Sequence, residues 1–388
     1  MALPLSQPIP VRVATQLRDV GPATVNDIST TLELSRTSVE NAMTTLVGLG
    51  LVVEGPAENG RGAGRPARRY HFHSAAGCAV GIDVGIASVR VVAADVTGTV
   101  IAQRTFAGIA DESGGAAKLA AVVDDVGSTL RDLAISPSRV RVLGVSLPGI
   151  VDRAGHVLTS VVIPEWSGVD IGAQLRSALG CPVSIDNGVR LAAVAEHHLG
   201  AAQLVDDVLY LSVGRRIALG LILGGRPRRG VHNVAGDIGR LAFRGLDSGT
   251  GEIPWLSAST AEEVFARARA GDVAAQAEIS AFVEEVARGI AVLVMTVDPA
   301  MVVIGGGLSR ARKQFVDPLR AAILARLPFE LPVVEARLGA EAAAHGALVY
   351  AFQRNAAAIY GLERMPAPAV SLPRDELGAP AGRRAGRA

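Results

Sequence analysis

The chain has 388 residues, enough for two or three domains, and its 49% hydrophobic and 19% charged residues indicate a globular protein with a large core. The formal net charge of +1 excludes a global basic field, so any nucleic-acid site must be a local basic patch. With Cys78 and Cys181 as the two cysteines, a disulfide framework and a cysteine-rich zinc site are excluded. No signal peptide or membrane span is expected, and the sequence predicts a cytoplasmic protein.

The first part of the chain has the pattern of two short helices joined by a tight turn. Thr24 and Ser35 are capping residues, and each precedes a run of residues with helical apolar spacing. The second helix is predicted to read the major groove of DNA, because small polar and Arg residues near its N-terminus are typical of a helix-turn-helix. The residues predicted for these contacts are Arg36, Thr37, Ser38 and Asn41.

A predicted hairpin follows, with strands at residues 51–54 and 70–72 and a Gly- and Arg-rich tip between them. Arginines on such a tip enter a minor groove or bind phosphates, so the hairpin is interpreted as the wing of a winged helix. The wing residues predicted to contact DNA are Arg61, Arg65 and Arg68. Residues 1–74 are therefore predicted to form a winged helix-turn-helix DNA-binding domain, although the same elements can also form a protein-interaction module.

From residue 75 onwards the pattern changes to apolar strands that alternate with helices, which predicts a mixed α/β fold. Several strands, a helix and a buried strand come first, and a second set of strands with a long helix at 273–297 follows. The stretch at 361–388 is rich in Pro, Ala, Gly and Arg and is predicted to be a disordered tail.

The stretch at 184–190, with the sequence SIDNGVR, is predicted to carry the function of this α/β part. It follows a predicted strand and opens a predicted helix at 191–199. The C-terminal end of a strand that leads into a helix is where α/β proteins bind their ligands. Asp186 and Asn187 are therefore predicted to face a cleft.

Four short motifs stand out in the α/β part: GIDVG at 81–85, LPGIVD at 147–152, AGDIG at 235–239 and VIGG at 303–306. By these motifs, residues 79–350 resemble the ROK family, whose members are repressors, open reading frames and kinases with an actin-like ATPase fold. The resemblance implies two α/β lobes around a cleft for ATP and a sugar, the first at 75–197 and 340–360 and the second at 198–339. A winged helix in front of such a domain implies a transcriptional repressor of carbohydrate-related genes.

The sequence departs from the family at the residues that the resemblance assigns to catalysis. Family kinases carry Asn-Asp, a small residue and Asn in the central stretch, whereas this chain keeps Asn187 and has Gly188 and Arg190 at the altered positions. Gly188 stands where the resemblance places the catalytic Asp. Asp186 is the alternative candidate for a base that takes the proton from a sugar hydroxyl.

The phosphate-binding turns of the family are altered as well. Ile86 stands where a second glycine lets the backbone approach phosphate, and Arg215 and Arg216 occupy a loop that is glycine-rich in the kinases. The chain is therefore predicted not to be an enzyme, with no catalytic residue and no cofactor.

The zinc and sugar residues that the resemblance implies are also replaced. Asp237 and Arg240 stand where the family has Glu and His, and no Cys cluster follows, so no metal is expected. An acidic or phosphorylated ligand suits the remaining pocket, unless Arg190 and Arg240 pair with Asp186 and Asp237 and the cleft binds nothing. The residues predicted to bind a ligand are Trp166, Asn187, Arg190, Asp237 and Arg240.

Three functions stay open. The favoured one is a sequence-specific repressor that binds an inverted-repeat operator as a homodimer or homotetramer and senses a sugar or sugar phosphate with a kinase-inactive ROK domain. The second is an ATP-dependent sugar kinase with a regulatory DNA-binding domain. The third is a scaffold whose cleft binds no ligand.

Overall fold

The computed structural model describes residues 7–55, 68–239 and 251–372. The N-terminal unit, called the head, comprises the described residues between 7 and 72. It contains three helices, α1 (Ile9–Asp19), α2 (Val25–Leu32) and α3 (Arg36–Gly48), and three short strands, β1 (Ala23–Thr24), β2 (Val52–Glu54) and β3 (Arg69–Phe72). The strands form an antiparallel sheet in the order β1-β3-β2.

The two capping residues predicted from the sequence define the helix starts in the head. Thr24 Oγ1 accepts a hydrogen bond from the Asp27 N–H at 3.2 Å, and the Asp27 carboxylate accepts one from the Thr24 N–H at 2.9 Å. Ser35 Oγ accepts a hydrogen bond from the Ser38 N–H at 3.1 Å at the start of α3. These bonds, which are reciprocal at Thr24, satisfy N–H groups that a helix start leaves unpaired, so the predicted starts of α2 and α3 are confirmed.

The first lobe is built on a five-stranded mixed sheet. Its strands are β4 (Cys78–Val84), β5 (Ser88–Asp95), β6 (Val100–Ala107), β7 (Val140–Leu147) and β10 (Val183–Asn187), and its helices on one face are α4 (Gly115–Asp132) and α5 (Ile171–Leu179). The order is β10-β7-β4-β5-β6, with β10, β7 and β4 parallel. A small hairpin of β8 (Ile150–Val151) and β9 (Val157–Thr159) follows β7.

The second lobe repeats this plan. Its strands are β11 (Val208–Val213), β12 (Ile217–Leu223), β13 (Arg226–Pro227), β14 (Met301–Gly305) and β15 (Val333–Glu335). They form a sheet in the order β13-β12-β11-β14-β15. One face is covered by α7 (Ala261–Arg269), α8 (Val273–Val297) and α9 (Asp317–Leu324), whose apolar side chains share one core with the sheet. No helix in the described part of the chain combines the length and apolar character needed to cross a bilayer.

Two helices lie between the lobes, α6 (Gly188–His198) and α10 (Ala342–Arg354). They pack against each other, and α10 also covers the face of the first sheet that α4 and α5 leave open. Gly81 in β4 and Gly144 in β7 permit this contact, because a Cβ at either position would collide with the α10 backbone. The ends of β10 and α6 are thereby held at the junction of the lobes.

The prediction of a disordered tail from residue 361 is wrong for residues 361–372. A short helix, α11 (Ala356–Tyr360), is followed by a segment in which Met365 is only 3% exposed. Ser371 exchanges backbone hydrogen bonds with the turn between β5 and β6. The composition of the whole tail suggested disorder, although this segment contains apolar residues that pack against the head and the first lobe. These residues are Leu362, Met365, Ala367, Val370 and Leu372. Residues 373–388 lie outside the described residues.

Candidate functional site

A cavity of about 360 Å³ lies between the lobes, where several strands reach their C-terminal ends. The ends of β4 and β10 line it on one side, and the ends of β11 and β14 line it on the other. Ligands of α/β proteins bind at such strand ends, which makes this cavity the candidate site. The polar side chains around it include Asp83, Asn187, Tyr210, Ser212, Ser309 and Arg310.

Asn187 joins the end of β10 to the start of α6. Its Oδ1 accepts hydrogen bonds from the N–H groups of Val189 at 3.0 Å and Arg190 at 3.3 Å, which caps the helix. Its Nδ2 donates to the Gly149 carbonyl at 2.8 Å, in the turn after β7. Asn187 therefore lines the cavity as predicted, and most of its amide already holds the local backbone.

Gly188 is the first residue of α6 and also lines the cavity. A Cβ at this position would lie 3.0 Å from Ser146 Oγ and 3.9 Å from Asp83 Oδ1. An acidic side chain here would extend into the space between the lobes, next to the Asp83 carboxyl. The native glycine places no proton acceptor at this point.

Asp83 is the carboxyl group that faces the cavity from the first lobe. Ser146 Oγ donates a hydrogen bond to its Oδ1 at 2.6 Å, and Arg90 Nη1 lies 3.7 Å from its Oδ2. Burial raises the pKa of Asp83 above its ordinary value, and the Ser146 hydrogen bond and the Arg90 charge oppose that shift. Arg90 Nε in turn donates to Glu341 Oε1 at 3.2 Å, immediately before α10.

Asp186 does not face the cavity, which corrects the prediction that it would do so. Its side chain is 1% exposed and forms an ion pair with Arg190. A second ion pair joins Asp186 Oδ2 to Arg229 Nη2 at 2.6 Å, and the Asn187 N–H donates to Asp186 Oδ1 at 2.7 Å. Burial raises the pKa of Asp186, and the two guanidinium groups oppose this shift. Consecutive strand residues point to opposite faces, so Asn187 reaches the cavity and Asp186 cannot act there as a base.

Arg190 and Arg229 complete a buried network around Asp186. Arg190 is 4% exposed and its Nη2 donates to the Asn233 carbonyl at 3.1 Å. Arg229 Nη1 donates to the Asp152 carbonyl at 2.9 Å, and its Nη2 donates to the Tyr350 hydroxyl at 2.5 Å. The pairing of Arg190 with Asp186 that the sequence left as an alternative is therefore present, and Arg190 is not among the residues that line the cavity.

Sequence reasoning missed Arg229 and Tyr350. Arg229 lies in a loop after β13 that matches no motif, and Tyr350 lies on α10, far from it in the chain. The one available signal was the buried carboxyl of Asp186, since a buried charge needs compensating partners. That signal predicts a cation but does not say which of the many arginines supplies it.

Two other predicted ligand residues do not line the cavity. Trp166 is 2% exposed, lies in the core of the first lobe, and donates its indole N–H to the Gly115 carbonyl at 3.0 Å. A tryptophan buried in this way supports the fold, so the ligand role predicted for it is not retained. Asp237 is exposed and outside the cavity lining. Arg240 lies outside the described residues.

The head presents a second candidate site on α3. Arg36, Thr37 and Asn41 are exposed on one side of this helix, and Ser38 is partly exposed beside its bond to Ser35. Arg36 Nε donates to Glu40 at 2.9 Å, and its Nη1 donates to Asn26 Oδ1 in α2 at 3.2 Å. The opposite side of α3 is buried in the head.

The hairpin residues are only partly within the described chain. Arg68 is exposed and pairs with Glu54 at 3.0 Å across the strands. Arg61 and Arg65 lie outside the described residues. In the described ranges, no group of three or more His, Cys, Asp or Glu side chains could hold a metal ion.

Comparison with known families identifies the α/β part. The sequence model of the ROK family matches residues 79–252 and 241–354, more than half of the chain. The chain belongs to the ROK family. A xylose repressor of Caldicellulosiruptor bescii is 23% identical over 76% of this chain and 82% of its own length. For several other curated relatives, the chain spans about half of their length.

Solved structures extend the ROK similarity to the fold. A ROK family transcriptional regulator, a homolog of the E. coli MLC protein, matches with a TM-score of 0.68 and 22% identity over 91% of this chain and 96% of that one. A ROK hexokinase from Thermus thermophilus matches with a TM-score of 0.60 and 30% identity over 71% of this chain and 98% of that one. The mixed α/β fold predicted from the sequence is thus the actin-like ROK fold.

Of the two turns that differ from the family pattern, the first contributes Gly85 to the cavity lining, whereas Arg215 and Arg216 of the second are not in that lining. Arg215 Nε and Arg216 Nη2 lie 3.6 Å and 3.0 Å from Glu252 Oε1, so this carboxylate holds the loop between β11 and β12. Burial lowers the pKa of Arg216, and Glu252 opposes the shift. Gly306, with φ of +84°, lies against the backbone of Val213, where a Cβ would collide. Packing and backbone conformation therefore require a glycine at position 306.

Proposed function

We propose that this ROK protein is a DNA-binding transcriptional repressor of carbohydrate-related genes, and that its ROK domain senses a sugar instead of phosphorylating it. The observation that carries this proposal is Gly188, because the cavity position next to Asp83 has no side chain that could accept a proton. Asp186, the alternative base, is buried in ion pairs on the other side of the strand.

The geometry of the head supports DNA binding. In this proposal the head is a winged helix, with α2 and α3 as the helix-turn-helix and the β2–β3 hairpin as the wing. The exposed side of α3 enters the major groove with Arg36, Thr37, Ser38 and Asn41, and the wing contributes Arg61, Arg65 and Arg68 to phosphates or the minor groove. One head reads a short half-site, so we infer that a homodimer or homotetramer binds an inverted repeat.

We infer that the effector is a sugar or a sugar phosphate, since Asp83, Asn187 and Arg310 line the same cavity. Arg190 suggested an acidic ligand from the sequence, but Asp186 balances its charge and it lies outside the cavity lining. Asp83 and Asn187 remain as groups that can hydrogen-bond hydroxyls. The similarity to the xylose repressor of C. bescii makes D-xylose the first sugar to test. No membrane or metal partner enters this proposal.

A sugar kinase is the second candidate function. It is favoured by the 30% identity to the T. thermophilus ROK hexokinase and by the Asp83 carboxyl in the cavity. It requires a base from another position, because Gly188 has no side chain to accept a proton, and it requires room for ATP beside Arg215 and Arg216. Against the first requirement, Asp186 is buried in ion pairs; against the second, Arg215 and Arg216 pair with Glu252 where the kinases have a glycine-rich turn.

Two measurements on the full chain test the proposal. Selection from a random duplex library should enrich an inverted repeat, and titration calorimetry should detect D-xylose or D-glucose binding without ATP. A coupled assay for ADP should detect no turnover of either sugar. Enrichment of no sequence would refute the DNA-binding function, and steady ADP release with a sugar would make the kinase the leading function.

A further inference from the structure

The head is attached to the first lobe through α1. Arg18, near the end of this helix, has a side chain that is only 1% exposed. Its Nη1 donates to the Pro366 carbonyl at 2.7 Å, and its guanidinium carbon lies 5.8 Å from the centroid of the Tyr360 ring. Thr15, one turn earlier, contacts Met365 at 3.7 Å between Oγ1 and Sδ. A charged side chain buried between two units contributes only while both stay in place.

Tyr360 is the residue at which the head, α11 and the first sheet meet. Its hydroxyl donates to the Val96 carbonyl at 2.8 Å, at the end of β5. Its ring meets Phe72 of β3 edge-on, with centroids 6.3 Å apart. Burial raises the pKa of Tyr360 to about 12, so the hydroxyl stays a donor. One side chain thus contacts the head on one side and the sheet on the other.

Residues 361–372, here called the strap, fasten the far side of this junction. The Ser371 N–H donates to the Gly98 carbonyl at 3.0 Å, and the Val100 N–H donates to the Ser371 carbonyl at 3.0 Å. The strap therefore begins at the head, crosses the edge of the first lobe, and ends in a backbone pairing with the β5–β6 turn. The buried side chains of the head and of this face of the lobe form a single apolar cluster.

The helix that leads into the strap begins at the cavity. Ala342 and Ala343, at the start of α10, line the cavity directly. Tyr350, two turns later, receives the hydrogen bond from Arg229. Asn355, just after the helix, donates to Ser184 Oγ at 2.8 Å at the start of β10. The 13 residues of α10 span roughly 20 Å, which connects the candidate ligand site with the head junction.

This helix is also tightly confined. Gly346 faces α6 at the carbonyl of Leu191, where a Cβ has no room, and Gly81 and Gly144 face α10 in the same way from the sheet. Close backbone contacts of this kind shift as units, because a packed interior does not deform continuously. A displacement at the cavity end of α10 is then carried to α11 and the strap.

We infer that the strap clamps the head to the first lobe and that α10 makes this clamp sensitive to the state of the cavity. An occupant that displaces α10 releases the contacts of Tyr360 with Arg18 and Phe72, which frees the head to turn. The consequence for operator binding rests on the proposed function, since two heads must hold a fixed spacing to read two half-sites. The clamp itself is testable without DNA.

The first test is hydrogen exchange of the full chain, read peptide by peptide. Arg18→Ala removes the buried guanidinium, and the amides of α1 and the strap should then exchange about tenfold faster, while those of α8 should not change. Arg36→Ala, on the exposed side of α3, is the matched control and should leave all of them unchanged. If Arg18→Ala unfolds the head, Tyr360→Phe is the second variant. It removes the bond to Val96 and the 3.4 Å contact of the hydroxyl with Arg18 Nη1 but keeps the ring, so the same peptides should show a smaller increase. Unchanged exchange in α1 and the strap in both variants would overturn the clamp.

The second test addresses the link from the cavity. Tyr350→Phe removes the hydroxyl that Arg229 contacts and touches no residue of the head. It should speed exchange in the strap and α1 by about threefold or more, since one hydrogen bond to a charged group is lost from α10. Thr129→Val is the matched control, because it removes a buried hydroxyl whose hydrogen bond, to the Asp125 carbonyl at 3.0 Å, stays within α4. Equal exchange in wild type and Tyr350→Phe would remove the link and leave only a static clamp. Failure of DNA selection would instead count against the proposed function and leave these exchange results standing.

Discussion

Replacement of Asp186 by Asn gives the sharpest test of the buried network beside the cavity. The change keeps the side-chain shape and removes the negative charge that pairs with Arg190 and Arg229. Both guanidinium groups would then stay buried without a counter-ion. Removal of one partner from a buried ion pair costs about 3–5 kcal/mol, and we expect a loss of that size in the first lobe.

The two tryptophans of the chain allow this loss to be assigned to a lobe. Trp166 lies in the core of the first lobe, and Trp255 packs against Phe265 and Phe282 in the second. In a Trp255→Phe background, Trp166 fluorescence reports urea unfolding of the first lobe alone. With a slope of about 2 kcal/mol per M of urea, Asp186→Asn should lower the midpoint by roughly 2 M.

Asp237→Asn is the matched control, because it makes the same chemical change at an exposed carboxylate. It should change the free energy of unfolding of the first lobe by less than about 0.5 kcal/mol. The double change Asp186→Asn with Arg190→Met should recover part of the loss, since one uncompensated charge is removed. A midpoint for Asp186→Asn within the error of the control would refute the argument that the two arginines depend on this carboxylate.

Three further outcomes are expected. Gly188→Asp places a carboxyl beside Ser146 and Asp83. The coupled ADP assay with D-glucose should nevertheless stay at background, because Ile86, Arg215 and Arg216 still replace the residues of the family's phosphate-binding turns. Turnover would show that those turns admit ATP. Arg36→Ala should cost about 1–3 kcal/mol at one base position of a selected operator, whereas Arg65→Ala should weaken binding to all sequences and reduce the salt slope by about one; identical operator affinities of both variants and wild type would contradict the contact assignment. The hydrogen bond and charge of Asp152, followed by the charge of Asp170, raise the pKa of His156 above its ordinary value. The stability that this imidazolium contributes is therefore fully present below the unfolded pKa and is lost as pH rises through the folded pKa. Ring-proton NMR should show a lower His156 pKa in Asp170→Asn, and an unchanged pKa would exclude the contribution of Asp170.

The elements of this fold follow closely from local sequence signals. Thr24 and Ser35 defined helix starts because a cap is a short-range hydrogen bond, and α8 was predicted with its observed limits, 273–297, because Asp272 and Asp298 bound a long apolar pattern. The lining of the cavity by Asn187 followed from the strand-to-helix pattern. Each of these inferences uses residues that are close in the chain.

The misses have a different cause. Asp186 was predicted on the wrong side of β10 because its neighbours in the chain do not reveal the register of the strand end. Arg229 and Tyr350 reach Asp186 from two distant segments, and only the folded topology brings them together. The strap was missed because its composition suggests disorder, while its few apolar residues meet a surface that exists only after the head and the first lobe have formed.

The buried network also has the energy scale that a sensor requires. A ligand shifts two conformations only by the difference in its affinity for them, and a change from 1:99 to 99:1 needs about 5.5 kcal/mol. Exposed ion pairs, worth up to about 1 kcal/mol, could not hold one state against such a ligand. The contacts of Arg229 join the second lobe to Asp186 and Asp152 of the first lobe and to Tyr350 on α10. Because buried charge pairs cost several kcal/mol to break, this network can define one closure of the lobes and, through α10, one position of the head.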